Sequence, residues 1–482
     1  MRKNLKQNYI FNLLYQVLSI IIPIIMIPYL SRTLHANGIG IYGYTISVVT
    51  YFLLFGSLGV NLYGQREIAV YQKDIKKRSK VFYELFFLKS ICLFFTSILF
   101  FLIFCINNQY KTFYMILMLE FLSNILDISW LYQGLEEFKK IVCRNLIVKI
   151  FSIISIYIFV KTENDVDIYL LIYCLSNLVG NGLLWMSAKK YLVKCDFKDL
   201  NFKTHLKGTI LFFIPQIAIQ VYAVLDKTMI GMILKDMTQV GYYESCQKVV
   251  RILMTVVTSL GIVMMPRIVS CISQNKTKEI KIYIKKSFSL VLCLSFPLMF
   301  GIIVVSPRFV PLFFGNGYEA AIPLLIVMSL IVLPVGISNI TGNAILIARK
   351  MQKEYTISVS FGALINVILN YILILKFKAL GAVISTVVSE TVITFIQFNY
   401  CKDEIEFKTL LKLSKNYFVS SLVMFTVCFL IGKVNCNPFI ILFFQVFIGI
   451  GIYVLMLILL KDDFFVGYLK MFLKYIKRLV SK

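Results

Sequence analysis

No connection in this chain of 482 residues is long enough to hold a soluble domain. The two histidines, His35 and His205, are far apart, and the eleven cysteines are scattered without a C-x-x-C pair. Metal-ligand spacing is therefore absent, and cysteine reads as a small membrane hydrophobe. Nucleophilic triads, glycine-rich phosphate loops and paired catalytic carboxylates in a long outer loop are also missing, which disfavours an enzyme. Charged residues make up only 15% of the chain against 59% hydrophobic ones, and the mean hydropathy is +0.82. Such a composition excludes a soluble domain of this length and describes an all-α, polytopic membrane protein.

A spanning helix needs roughly 20 apolar residues. Fourteen segments qualify, at about 9–30, 40–62, 83–106, 112–132, 144–160, 167–188, 208–233, 240–266, 287–306, 321–347, 355–375, 380–400, 413–431 and 439–460. The first follows Arg2, Lys3 and Lys6, but it is too long for a signal peptide and lacks a small-residue cleavage site, so it is expected to remain as a helix. Alternate connections and both ends hold 37 of the 50 Lys and Arg, whereas the opposite set holds 8. By the positive-inside rule both ends are expected in the cytoplasm. The net charge of +26 is mostly this topogenic signal. Because the basic residues are divided among many short loops, nucleic acid is not an expected partner.

A faint repeat organises the spans. Ile39-Gly-Ile-Tyr-Gly43 opens the second segment and Val240-Gly-Tyr-Tyr-Glu244 opens the eighth, 201 residues later. The same order of a long span, a short outer turn and a Gly-x-Tyr start predicts two parallel six-helix lobes, 1–190 and 205–403. An appended helix pair at 412–462 and a basic cytoplasmic tail at 463–482 follow. Parallel repeats are common in secondary transporters, with substrate bound where the repeats meet.

Polar residues inside the spans point to function. Glu244, Lys248, Arg251, Thr255 and Thr258 step by four and three residues along one side of a helix otherwise built of Val, Leu, Ile and Met. A charge facing lipid tails costs at least about 2.5 to 3.5 kcal/mol, so this side is expected to face a bundle interior or an aqueous cavity. In the seventh segment Gln216, Gln220 and Lys227 share a side, and in the first Asn8, Asn12, Tyr15 and Ser19 do so. These neutral groups either line a cavity or join helices by hydrogen bonds. Asp226 is placed to neutralise a neighbouring cation. Glu120, Asn124 and Asp127 form a stripe in the fourth segment, and Thr386, Glu390 and Gln397 another in the twelfth. Carboxylates at such depth relay protons, bind sodium or pair with cations such as Lys89 or Lys149. Pro23, Pro28, Pro215, Pro297 and Pro334 are expected to bend their helices.

Two strings, Gly59-Val-Asn-Leu-Tyr-Gly-Gln-Arg-Glu-Ile-Ala69 and Asp127-Ile-Ser-Trp-Leu-Tyr-Gln-Gly-Leu-Glu136, resemble signatures of polysaccharide repeat-unit flippases of the Wzx type. Arg144-Asn145, Leu225-Asp-Lys227, Ile230-Gly231, the Val240-Gly-Tyr-Tyr start and Gly381-Ala-Val-Ile-Ser-Thr-Val-Val-Ser-Glu390 add to the likeness, which spans roughly residues 5–400. The resemblance implies membership of the superfamily that also holds multidrug-extrusion (MATE) antiporters and lipid II flippases, with two lobes around a cationic, alternately open cavity. An Arg cluster in the first two segments, which would match the lipid II flippases, is not evident.

The implied substrate is an undecaprenyl-pyrophosphate-linked oligosaccharide for capsule, O-antigen or other surface polysaccharide. Its anionic head cannot cross hydrocarbon, so the cavity must supply cations for phosphate and amides, hydroxyls or aromatics for sugar. Arg251, Lys248 and Lys227 suit the first need; Gln216, Gln220, Asn12, Tyr15 and Thr255 suit the second. Arg66 either meets the head on entry or is topogenic. Asp226, Glu244, Asp127, Glu120 and Glu390 are candidates for ion coupling or ion pairing. Trp130 and Tyr132 are read as membrane-interface aromatics, with sugar stacking as the alternative. No cofactor is expected beyond a proton or sodium gradient or the membrane potential. Membrane lipids, a polysaccharide polymerase and a chain-length regulator are candidate partners. The rival readings are a MATE-like multidrug cation antiporter, a membrane glycosyltransferase or polymerase, and a scaffold for polymer assembly.

Overall fold

The computed structural model describes the backbone of residues 2–480 except 197, 199 and 275. Side chains are described for 22–471 except those three and 215, 218, 219, 260–266, 272, 273 and 277. Among the described residues the regular structure is helical. Contacts divide the chain into two units, Met1–Gly241 and Tyr242–Lys482.

The first unit holds α1 (Arg2–Ser57), α2 (Val60–Val70), α3 (Ile75–Phe100, prolonged by a π turn over Phe101–Cys105), α4 (Lys111–Leu126), α5 (Ser129–Gly134), α6 (Phe138–Phe159), α7 (Val166–Ala188) and α8 (Lys203–Leu234). α1 bends at His35, whose φ of 53° is left-handed, and holds Pro23 and Pro28 within its length. α1 packs on α3, α4, α6, α7 and α8, and α4 lies between α3 and α7. Asp74 caps α3 by accepting the Lys77 amide at 3.1 Å, which leaves one fewer orphan donor at that end.

The second unit holds most of α9 (Met237–Ser273), then α10 (Thr277–Phe314), α11 (Ala321–Ser329), α12 (Val332–Ser338, running into a π segment over Asn339–Ile347), α13 (Gln352–Phe377), α14 (Ala379–Tyr400), α15 (Phe407–Gly432), α16 (Pro438–Leu459) and α17 (Asp463–Val480). α13 pairs with α14, while α15 and α16 pack on each other and on α10. Asn437 caps α16 by accepting the Phe439 amide at 2.9 Å, with Pro438 in the first turn. The segment read as a basic tail forms the helix α17.

Eleven stretches of described residues are long and apolar enough to cross a membrane. The chain is a multi-pass membrane protein. Ile22–Val70 is one such stretch and includes the bend at His35. α8 and α9 are also long helices, and each contains positions outside the described side chains.

The repeat has a physical counterpart. A Cβ added to Gly40 would lie 1.7 Å from the Met237 carbonyl oxygen, and one added to Gly241 would lie 1.8 Å from the Ala36 carbonyl oxygen. Residues 36 and 237, and 40 and 241, are separated by the same 201 positions as the two Gly-x-Tyr strings. The contact is therefore reciprocal, and only glycine lets the two backbones approach this closely.

Candidate functional site

Two polar stretches flank the turn between α8 and α9 in the sequence. On α8, Asp226 and Lys227 are buried, at 4% and 7% exposure. The next residue, Thr228, donates to Ser47 Oγ at 2.9 Å and lies 3.0 Å from the Tyr51 hydroxyl. Those partners belong to α1, so this face of α8 is held against α1 by hydroxyls. Gln216 is half-buried and Gln220 exposed on the same helix. The side chains of Asn12 and Tyr15 lie outside the described residues.

On α9 the polar stripe keeps its helical register. Lys248 Nζ lies 3.2 Å from Glu244 Oε1; the carboxylate is nearly buried while the ammonium is about one-third exposed. One turn further, Arg251 is exposed. Thr255 and Thr258 donate to the carbonyls of Arg251 and Met254, each at 2.9 Å. These back-bonds leave hydroxyl oxygens with spare acceptor capacity. The stripe thus carries one ion pair and, a turn on, one exposed guanidinium.

Other expected residues take part in different local structures. Asp127 is not the last member of an α4 stripe, because α4 ends at Leu126 and the residue adopts extended dihedrals. Its carboxylate accepts the Ser129 amide at 2.9 Å, closing a local turn just before α5. Helical spacing concealed a helix break at this point. Glu120 remains on α4, buried, and accepts from Asn177 Nδ2 at 3.0 Å. Beside it, Arg144 donates to Asn181 Oδ1 at 2.7 Å, and Asn181 Nδ2 donates to the Ser123 carbonyl at 2.9 Å. Glu390 is half-buried on α14, where Thr394 bonds both its carbonyl and that of Pro334 at 2.8 Å. Thr394 thus occupies an acceptor beside the proline. Arg66 is exposed on α2, its guanidinium carbon 5.8 Å from the Phe212 ring centre.

Trp130 and Tyr132 are core residues, not interface aromatics, for both have 0% exposure. The Trp130 ring stacks on Phe82 at 5.2 Å. The Tyr132 hydroxyl donates to the Leu184 carbonyl at 2.5 Å. Gly64 of the first signature string lies so close to Trp130 that a Cβ there would meet Cε3 at 2.6 Å, and Gly134 of the second lies equally close to Gln65 and Ile68. The two strings interlock through α2 and α5.

Two buried clusters complete the picture, the first around a cation that the sequence already offered as a partner for the α4 carboxylates. Lys89, 1% exposed, donates to Asn61 Oδ1 at 3.3 Å and to the Asp127 carbonyl at 3.1 Å. His205 bridges Glu84 Oε2 at 2.8 Å and the Tyr63 hydroxyl at 3.1 Å, while the Asn201 amide donates to Glu84 Oε1 at 2.7 Å. Glu84 and His205 are 121 positions apart, so no local pattern could announce them.

These features can be set against known proteins. The family model described as "Polysaccharide biosynthesis protein" matches residues 5–272, more than half of the chain. The chain belongs to that family. A second model, MatE, matches residues 212–372. A relative from Escherichia coli K12 with the name "Putative O-antigen transporter" is 24% identical over 405 residues, covering 83% of this chain and 97% of that protein. Among solved structures, the lipid II flippase MurJ in an inward closed conformation superposes with a TM-score of 0.75 at 18% identity, covering 95% of this chain and 99% of MurJ. An inward-facing multidrug resistance MATE transporter of the MOP superfamily follows at a TM-score of 0.61 and 13% identity, covering 82% of this chain and 99% of that chain. The fold is therefore that of the MOP superfamily.

Proposed function

We propose that this family member is a flippase, carrying undecaprenyl-pyrophosphate-linked oligosaccharide repeat units from the cytoplasmic to the outer leaflet of the bacterial cytoplasmic membrane by alternating access. The observation that carries the proposal is the cationic stripe of α9, in a chain of the polysaccharide biosynthesis family. A pyrophosphate head needs cations held near hydrocarbon but not locked in place. Lys248 is partly compensated by Glu244 at 3.2 Å, and that carboxylate moderates its grip. Arg251, exposed on the same helix face, offers planar donors suited to phosphate oxygens. Gln216 and Gln220 supply amides for sugar hydroxyls. The polyprenyl tail stays in lipid throughout.

The step is transport rather than catalysis, and it needs no bond change. Moving about two negative charges outward across an inside-negative membrane releases roughly 2.3 kcal/mol per charge per 100 mV. That bias favours export of the head, and a proton or sodium gradient is the other candidate drive. A multidrug antiporter would favour an acidic cavity for lipophilic cations, and the α9 stripe is net positive.

Arg251→Ala tests the reading in cells whose surface polymer depends on this chain. Surface polysaccharide should be lost at unchanged protein level in the membrane, and Arg251→Lys should restore only part of it, since an ammonium cannot bind bidentately. Normal polymer from Arg251→Ala cells would remove this stripe from the substrate path.

A further inference from the structure

We propose that α17 is a membrane-surface helix that docks on anionic phospholipid headgroups beside the end of α16. α17 is the most amphipathic helix among those described. At about 100° per residue, Asp463, Lys470, Lys474, Lys477 and Arg478 fall within an arc of about 100°. Phe464, Phe465, Tyr468, Leu469, Met471 and the apolar residues that follow fill the remainder. The helix therefore offers a narrow basic face and a wide apolar one, as interfacial helices do.

The bundle does not cover that apolar face where side chains are described. Residues 463–471 include none that is buried, and Tyr468 and Met471 are 49% and 59% exposed. α17 packs on α16 and α10. Its departure from the bundle is nonetheless fixed. Asp462, 7% exposed, accepts from Asn416 Nδ2 and the Tyr417 hydroxyl, each at 3.2 Å, and from the Phe465 amide at 2.9 Å. Lys461 before it turns the chain with a left-handed φ of 49°. A pinned corner thus joins an apolar membrane-crossing helix to an amphipathic one some 27 Å long, at 1.5 Å per residue.

Charge selects the occupant. Four cations against one carboxylate suit an anionic lipid surface, and the helix begins where a membrane span has just ended, at headgroup depth. A protein partner or a second copy would bury the same apolar face without requiring the basic arc. The inference rests on the membrane-spanning fold and not on the flipping reaction.

The test uses the full chain carrying Tyr468→Trp, reconstituted in vesicles whose acyl chains are brominated near the interface on either phosphatidylglycerol or phosphatidylcholine, at equal mole fraction. Fluorescence of the same vesicles with the unsubstituted chain gives the background from Trp130 and Trp185. Brominated phosphatidylglycerol should quench the added tryptophan at least about twofold more than brominated phosphatidylcholine, because the basic arc gathers anionic lipid. The ratio should fall towards one in about 0.5 M salt, which screens without altering the helix, and in the K470Q/K474Q/K477Q/R478Q variant. Quenching by neither lipid would mean that protein covers the face, and equal quenching by both would mean apolar attachment without headgroup recognition. Either result overturns the proposal.

Discussion

Gly40→Ala and Gly241→Ala probe the repeat directly. An added Cβ would sit 1.7 Å from the Met237 oxygen in the first case and 1.8 Å from the Ala36 oxygen in the second. An ordinary carbon–oxygen contact is about 3.3 Å, so the backbones must separate by about 1.5 Å. Overpacking costs about 1–3 kcal/mol, and here the obstructing atom is main chain with no rotamer to escape into, which sets the cost near 3 kcal/mol. In a unit of 241 residues, where 1 kcal/mol shifts the melting temperature by about 2–4 °C, the expected fall is roughly 6–12 °C. Thermal unfolding of the purified protein in detergent, followed by tyrosine and tryptophan fluorescence, measures it. Gly451→Ala is the control. No atom lies within 4 Å of its added Cβ, and replacing a mid-helix glycine gains about 0.5–1 kcal/mol. A Gly40→Ala chain melting within about 1 °C of the parent would refute the close crossing.

Three further outcomes follow from the clusters and caps. His205→Ala removes the imidazole from Glu84, leaving the Asn201 amide as the bond to that carboxylate among those described; a loss of about 2 kcal/mol is expected in denaturant unfolding, and unchanged stability would dismiss the cluster as a support. Asp127→Asn should keep the local turn and full transport, whereas Asp127→Ala should cost about 1 kcal/mol; transport lost in the Asn variant with the fold intact would instead give the carboxylate an ionic role. Asp165 accepts the amides of Lys161 and Thr162 at 2.8 and 2.7 Å, and these bonds hold its carboxyl below the usual range. Its depressed value means that the contribution is present above the unfolded value of about 3.9 and is lost as pH falls through the folded one. Hydrogen exchange at those two amides should accelerate at acid pH, beyond the chemical trend, and Asp165→Asn should abolish that acid step.

The helices were legible because hydropathy reports burial in lipid, although the 112–132 segment is broken at Asp127 and Ile128 and the 40–62 segment at Leu58 and Gly59. The two Gly-x-Tyr starts stood out in the sequence, and glycine at Gly40 and Gly241 answers a contact that tolerates nothing larger. The register of the α9 stripe was legible, since residues four apart on one helix meet whatever the tertiary fold, as Glu244 and Lys248 do. Long-range partners were not legible. Asp127 fits helical spacing in sequence, yet its side chain competes for the backbone and ends the helix. Trp130 and Tyr132 carry polar handles that suggest a wet boundary, but the Tyr132 hydroxyl finds a carbonyl on α7 and the Trp130 ring finds Phe82. Lys89 is paired from α2 and from the α4–α5 break, two places that no periodicity connects.

The interlocking of Gly64 with Trp130, and of Gly134 with Gln65 and Ile68, has a practical corollary for recombination. Residues 59–136 form a single cassette: exchanging either half alone between related transporters places a foreign indole over a mismatched helix, so productive crossovers fall outside that interval. Altered sugar preference should thus be sought by shuffling around the cassette, never by cutting it.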